Sequence, residues 1–130
     1  MNIGLLEKYQ AIEIPRTCLY RKEPDAEEMF REYDSPLAFL DLEEYQQLAL
    51  YRWCRSLEKV QKINKRHSSY GLKHIFAKDN KGFYIYNGAF KGAMVAAGFK
   101  VSDETELNWQ FNISEKSVKD VLKKRKEFLR

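Results

Sequence analysis

Five cations in the middle of the chain follow alternating steps of three and four residues, and they are Arg52, Arg55, Lys59, Lys62 and Arg66. On a helix this spacing places them on one face. A row of Lys and Arg is typical of proteins that neutralise the phosphates of nucleic acids. Only Glu58 offers a helical counter-charge, so the row favours an anionic partner. The same pattern also fits a solvated helix face, and both interpretations stay open.

A second group of cations lies near the end of the chain, and its candidate binding residues are Lys119, Lys123, Lys124 and Lys126. Lys73 is a further candidate between the two groups. Residues 1–50 carry 5 basic and 11 acidic side chains, a net charge of −6, so a total of +4 leaves +10 for the rest. This division favours an anionic partner for the second half, although a charged protein could also meet it.

Motifs for catalysis or for binding a metal ion or cofactor do not occur in the sequence. His67 and His74 are seven residues apart, but a predicted helix cap at Ser68 or Ser69 separates them. Cys18 and Cys54 have no spacing typical of zinc sites or disulfide frameworks, so we predict two buried thiols. We therefore expect no catalytic residues, no metal site and no cofactor, and we predict that the protein is not an enzyme.

Length and composition predict a single domain, because 130 residues with 44% apolar side chains can form one hydrophobic core. No run approaches the roughly 18 apolar residues of a membrane span. The first ten residues, MNIGLLEKYQ, become charged too early for a signal peptide. We expect a soluble, cytoplasmic protein without a membrane partner, and its oligomeric state is left open.

The predicted fold class is α+β and mostly helical, with three consecutive parts. Residues 1–36 form an acidic segment of extended and short helical elements, including a helix over 24–33 that begins with Pro24. Residues 37–67 contain no glycine or proline and predict one long central helix. In that helix the cations lie opposite an apolar stripe, so we expect Arg52, Arg55, Lys59 and Lys62 to be exposed.

Residues 68–130 predict a winged-helix-like half that begins with two helices. Ser68 or Ser69 caps the first helix, and Asn87 caps the second, which ends at Gly98. Gly88 and Gly92 each cost about 1 kcal/mol in a helix, so a close approach must compensate. We favour packing inside the protein over approach to a phosphate or a partner.

A β-hairpin and a basic C-terminal helix complete the predicted winged-helix-like half. Apolar residues alternate over 99–101 and 107–113, which predicts the two hairpin strands, with Trp109 and Phe111 packed against the helix that begins near Asn87. The tip is acidic, with Asp103, Glu104 and Glu106, which disfavours the contacts that a wing makes with phosphates.

The blocks SYGLKHIF, GFYIYNGAFKGAMVAAGF and NWQFNIS fall within residues 69–114, about a third of the chain. They resemble a block found in small proteins of phages, plasmids and integrative elements of Gram-positive bacteria. The resemblance implies an accessory role on a mobile element, as a regulator or as an inhibitor of host defence such as an anti-CRISPR protein. It implies no ligand residues.

The sequence is compatible with two functions. In the first, the basic helices bind DNA or RNA, and Tyr70, Phe83, Tyr84 and Tyr86 stack on bases or bond to the backbone. In the second, the acidic first half docks on a bacterial defence nuclease, or on its complex with a guide, and blocks the channel that holds nucleic acid.

Overall fold

The computed structural model describes residues 1–11, 13–18 and 23–128, with the backbone alone for 126–128. Two 3-10 helices span Ile3–Tyr9 and Pro36–Asp41. The α-helices are α1 (Ala26–Tyr33), α2 (Glu44–Arg55), α3 (Ser69–Ala77), α4 (Asn87–Ala96) and α5 (Glu115–Phe128). Two antiparallel strands, β1 (Lys59–Asn64) and β2 (Phe111–Ile113), form a small sheet. The fold is helix-rich with a small antiparallel sheet, consistent with the predicted α+β class.

Helix α4 forms the centre of the fold, because every residue from 87 to 97 is buried. Its small side chains allow the 3-10 helix Pro36–Asp41 to lie directly against it. A Cβ atom at Gly92 would come within 2.2 Å of the Pro36 carbonyl oxygen, and one at Gly88 within 2.3 Å of the Ser35 oxygen. The two glycines therefore serve close packing inside the protein, as predicted.

The start of α3 and the end of α4 have the capping residues that the sequence predicts, whereas the start of α4 does not. The Ser68 hydroxyl oxygen accepts a hydrogen bond of 3.2 Å from the Gly71 amide, which confirms the predicted cap of α3. Gly98 has a φ of 91°, the left-handed conformation expected after a helix. The predicted cap of α4 is wrong: Tyr86 is the cap residue, and Asn87 begins the helix. The Asn87 side chain bonds instead to residues outside the helix.

The predicted long helix over 37–67 is wrong, because this region forms a 3-10 helix, α2 and β1. Glu43 and Gln46 form a capping box that starts α2 afresh after the 3-10 helix. Beyond Arg55 the chain turns and becomes a strand that contains the β-branched residues Val60 and Ile63. Pairing with β2, almost fifty residues later, favours the strand over the helix that local propensity allows.

Strand β2 pairs mainly with β1, so the predicted hairpin over 99–113 is wrong in its principal pairing. Lys59 pairs with Ile113 and Asn64 with Phe111, so β1 bulges between these two pairs. The Asn112 side chain donates through Nδ2 to the Val60 carbonyl oxygen at 2.8 Å, and its Oδ1 atom accepts from the Lys100 backbone N–H at 2.6 Å. Of the predicted hairpin, a single bridge between Val101 and Phe111 remains.

One cluster of buried side chains extends from Leu6 in the first 3-10 helix to Val118 in α5. Trp109 and Phe111 belong to it with exposures of 2% and 0%, as predicted. Cys18 and Cys54 are also buried, as predicted. In the part of the chain that the structure describes, no helix combines the length and apolar character needed to cross a membrane.

Candidate functional site

The five cations of the predicted helical row are divided among three elements. Arg52 and Arg55 lie in the last turn of α2, Lys59 and Lys62 on β1, and Arg66 in the turn that follows. All five side chains are exposed, so the predicted exposure is confirmed although the single helix is not.

The start of α5 lies against the link between α2 and β1. The Ser114 amide donates to the Glu58 carbonyl oxygen at 2.8 Å, and the Glu58 amide donates to the Ser117 hydroxyl at 3.3 Å. The Ser114 hydroxyl in turn accepts from the Ser117 amide at 3.3 Å, as expected of a helix cap. These bonds bring the C-terminal end of α2, the start of β1 and the start of α5 together.

The C-terminal end of β1 also contacts the start of α5. The Asn64 side chain donates to the Ile113 oxygen at 3.1 Å and to the Glu115 carboxylate at 3.0 Å, and His67 bonds to that carboxylate at 2.8 Å. The Asn64 bond, with the nearby His67 and Arg66, lowers the pKa of Glu115. Because both ends of β1 meet the start of α5, the bulged middle of the strand, with Lys62, projects into solvent.

Helix α5 adds the second predicted group of cations. Val118 is buried, whereas Lys119, Lys123 and Lys124 are exposed; the side chain of Lys126 lies outside the described residues. We name the predicted cations that are exposed on α2, β1 and α5 and in the turn after β1 the basic junction, and its members are Arg52, Arg55, Lys59, Lys62, Arg66, Lys119, Lys123 and Lys124.

The cations of the basic junction have no ion-pair partner among the described residues. The ion pairs among the described residues lie outside the junction, and they join Lys8 to Glu104, Arg31 to Asp41 and His67 to Glu115. One cation of the junction has a ring contact, because the Lys59 ammonium lies 4.6 Å from the centroid of the Phe99 ring. The positive charge of the junction is therefore available to an external anion.

Lys73, the remaining predicted cation, lies apart from the junction and is buried on α3. It lines a cavity of about 440 Å³ whose other walls include four tyrosines, Tyr33, Tyr70, Tyr84 and Tyr86. Its ammonium lies 5.1 Å from the ring centroids of both Tyr70 and Tyr84. We name this space the tyrosine cavity.

Two polar residues that the sequence analysis did not single out for binding, Asp34 and Asn87, also line the tyrosine cavity. The Asn87 side chain donates through Nδ2 to Asp34 Oδ1 at 3.4 Å, to the Leu107 carbonyl oxygen at 3.2 Å and to Asn108 Oδ1 at 3.0 Å. Asp34 Oδ2 and Asn87 Oδ1 are buried and have no hydrogen-bond partner among the described residues. No local pattern marks Asp34, because a turn after α1 brings it to the start of α4.

Burial and neighbouring charges shift the pKa values of three groups around the cavity. Burial raises the pKa of Asp34, although Lys91, Asn87 and Lys73 oppose this. Burial lowers the pKa of Lys73 against the opposing charge of Asp34, and it lowers the pKa of Lys91 to about 8. The Lys91 ammonium donates to the Leu107 oxygen at 3.0 Å and lies 4.5 Å from the Trp109 ring centroid.

The described residues contain no group of three or more His, Cys, Asp or Glu side chains that could hold a metal ion. Helix α4, the second of the predicted helix-turn-helix pair, has no exposed face to place in a DNA groove. No protein-family model, curated protein or solved structure matches the chain. The basic junction and the tyrosine cavity are therefore the two candidate binding sites.

Proposed function

We propose that the protein binds nucleic acid by contacting phosphates at the basic junction, as a non-enzymatic accessory protein of a mobile element. The observation that carries the proposal is the set of exposed cations on α2, β1 and α5 and in the turn after β1, which have no ion-pair partner among the described residues. The backbone bond between Ser114 and Glu58 holds the start of α5 against the link between α2 and β1. Cations held on a folded surface release counterions from a nucleic acid when they neutralise its phosphates. The mobile-element role follows from the sequence resemblance alone.

The proposed contacts are independent of base sequence. The cations are mainly lysines on exposed surfaces, which bind phosphates as point charges. The helix that a helix-turn-helix protein inserts in the major groove corresponds to α4, which is buried here. The loop that carries Asp103, Glu104 and Glu106 is acidic and exposed, so it contributes no phosphate contact.

A salt titration of duplex DNA binding tests the proposal. The triple variant Arg52→Gln, Arg55→Gln, Lys62→Gln removes three exposed cations of the junction. Each phosphate contact that is lost should reduce the slope of log K against log salt concentration by about 0.9. Affinity should fall on all sequences alike.

The control for net charge is Lys8→Gln, Arg16→Gln, Arg31→Gln, which changes the net charge equally but lies in the acidic half of the chain. It also breaks the ion pairs to Glu104 and Asp41, so thermal unfolding first establishes that it is folded. It should leave the salt slope unchanged. Equal losses in both variants would show that only the total charge matters, and an absence of binding at low salt would refute the proposal.

A second candidate function is inhibition of a bacterial defence nuclease, which the acidic side of α1 favours. Glu27, Glu28 and Glu32 are exposed on this helix. Carboxylates on a helix can occupy a channel that normally holds phosphates. If the wild type binds a defence nuclease complex but no DNA or RNA, and Glu27→Gln, Glu28→Gln, Glu32→Gln abolishes that binding, the second function replaces the first.

A further inference from the structure

The tyrosine cavity presents exposed aromatic rings beside buried polar groups. Tyr84 is 70% exposed, Tyr70 53% and Tyr86 40%, and all three line the cavity. Exposed tyrosine rings are the usual platforms on which unpaired bases stack. The volume of about 440 Å³ is within the range of cavities that bind small ligands.

The cavity already contains a cation of its own, which decides against a cationic ligand. Aromatic rings beside a carboxylate commonly bind an ammonium or methylated ammonium group. Here the Lys73 ammonium lies 5.1 Å from the ring centroids of both Tyr70 and Tyr84. A second cation would be repelled, whereas a neutral ring with an acceptor atom would be attracted.

The unpartnered atoms of the cavity are hydrogen-bond acceptors. Asp34 Oδ2 and Asn87 Oδ1 lack a donor among the described residues, and both residues are more than nine-tenths buried. A buried acceptor without a partner is unfavourable, so a ligand that supplies donors gains affinity there. The cavity therefore requires donors opposite Asp34 and an acceptor opposite Lys73.

Guanine is the base whose edge matches this requirement. Its N1–H and N2–H₂ groups are adjacent donors that a carboxylate can accept together, and its O6 atom is an acceptor for an ammonium group. Adenine and cytosine offer an amino group next to an acceptor nitrogen, which a carboxylate repels. Uracil and thymine offer one N–H between two carbonyl oxygens.

We propose that the tyrosine cavity binds one unpaired guanine base of a single-stranded nucleic acid, with Asp34 on the N1 and N2 edge, Lys73 on O6 and Tyr84 and Tyr70 against the ring. This proposal rests on the proposed function, because the strand is held by its phosphates. Asp34 Oδ2 is shielded from solvent, so the base reaches it only if the wall of the cavity rearranges on binding.

The test compares strands of eleven thymidines whose central position holds guanine, inosine, adenine or thymine, at one salt concentration. We expect the guanine strand to bind roughly tenfold more tightly than the thymine strand, a discrimination in the range of a matched pair of base-edge hydrogen bonds. Inosine lacks the 2-amino group and should lose most of this preference, and adenine should show none.

Two substitutions assign the preference to the cavity. Asp34→Asn should abolish the guanine preference while leaving the affinity for the thymine strand unchanged, and Tyr84→Ala should reduce it several-fold. Tyr45→Ala is the matched control for Tyr84, because Tyr45 is 72% exposed and lies on α2 outside the cavity. Thermal unfolding of each variant shows whether it is folded.

The outcomes separate this proposal from the proposed function. Equal affinity for guanine and thymine strands, with salt-dependent binding intact, overturns the cavity proposal alone. An absence of binding to every strand overturns the proposed function as well. Tighter binding of free guanosine monophosphate than of the guanine strand overturns the assignment to a strand, and a preference that survives Asp34→Asn overturns the assigned contact.

Discussion

Lys91 is a cation enclosed by the core, and its position has a thermodynamic consequence. It is fully buried on α4, between the Trp109 ring and the Leu107 carbonyl oxygen. Burial lowers its pKa from 10.5 to about 8, with Asp34 and Cys18 acting in the opposite direction. The unfolded chain therefore holds a proton on Lys91 more strongly than the folded protein does.

We predict that the free energy of unfolding rises between about pH 8 and pH 10.5, relative to a Lys91→Met variant. In this window the unfolded state binds more protons than the folded state, so raising the pH favours folding. The difference should grow by at most about 1.4 kcal/mol per pH unit. Urea unfolding at several pH values measures it, and parallel curves for wild type and variant would contradict the assigned pKa.

At the scale of secondary structure, Gly88 and Gly92 allow a close contact between α4 and the 3-10 helix Pro36–Asp41 with its cap residue Ser35. We predict that Gly92→Ala destabilises the protein by about 1–3 kcal/mol or more, because the added methyl group would meet the backbone of Pro36 and the Cβ atom of Phe39. Neither neighbour can rotate away. Chemical denaturation measures the loss.

Gly71→Ala is the matched control for Gly92→Ala. Gly71 lies in α3, and a Cβ atom there would have its nearest neighbour, Ser68 Oγ, at 3.8 Å. Because alanine favours helices, this substitution should stabilise the protein by about 0.5–1 kcal/mol. If both substitutions destabilised the protein equally, helix distortion rather than close packing would explain the result.

The elements that the sequence predicted correctly are those with local signals. Pro24 and the acidic first turn mark α1, Ser68 marks α3, and Gly98 marks the end of α4. Strand β1 was missed because its partner, Phe111–Ile113, is distant in the sequence and its own residues are mostly charged or polar. The winged-helix arrangement stays a prediction.

The residue types of the candidate sites could be read from the sequence, but the tertiary contacts that bring them together could not. The exposure of Arg52, Arg55, Lys59 and Lys62 followed from the sequence. The sequence also indicated three of the four tyrosines that line the cavity, but it did not indicate Tyr33, and Phe83 does not line the cavity. The contact of α2, β1 and α5 depends on long-range backbone hydrogen bonds such as that between Ser114 and Glu58. The spacing of apolar residues in the sequence does not predict such bonds. Asp34 was missed because only the tertiary fold brings it to Asn87.

Across the whole molecule, the acidic and basic parts of the sequence share one core. The acidic first half supplies the 3-10 helix that covers α4, and α4 itself belongs to the basic second half. At the surface, Lys8 bonds to Glu104 at 2.7 Å across almost a hundred residues of sequence. Substitutions that alter the basic junction are exposed and should leave this core intact.

The enclosure of α4 also determines how the protein opens. Its amide groups lie beneath α2, α3 and both 3-10 helices, so solvent reaches them only when these elements separate. We predict that α4 amides exchange with deuterium only through global unfolding, with an opening free energy equal to that from denaturation. Amides in the bulged middle of β1 should exchange orders of magnitude faster. If the α4 amides exchanged as fast as those of the bulge, α4 would open without global unfolding. The most enclosed helix would then have one of the lowest opening free energies in the protein.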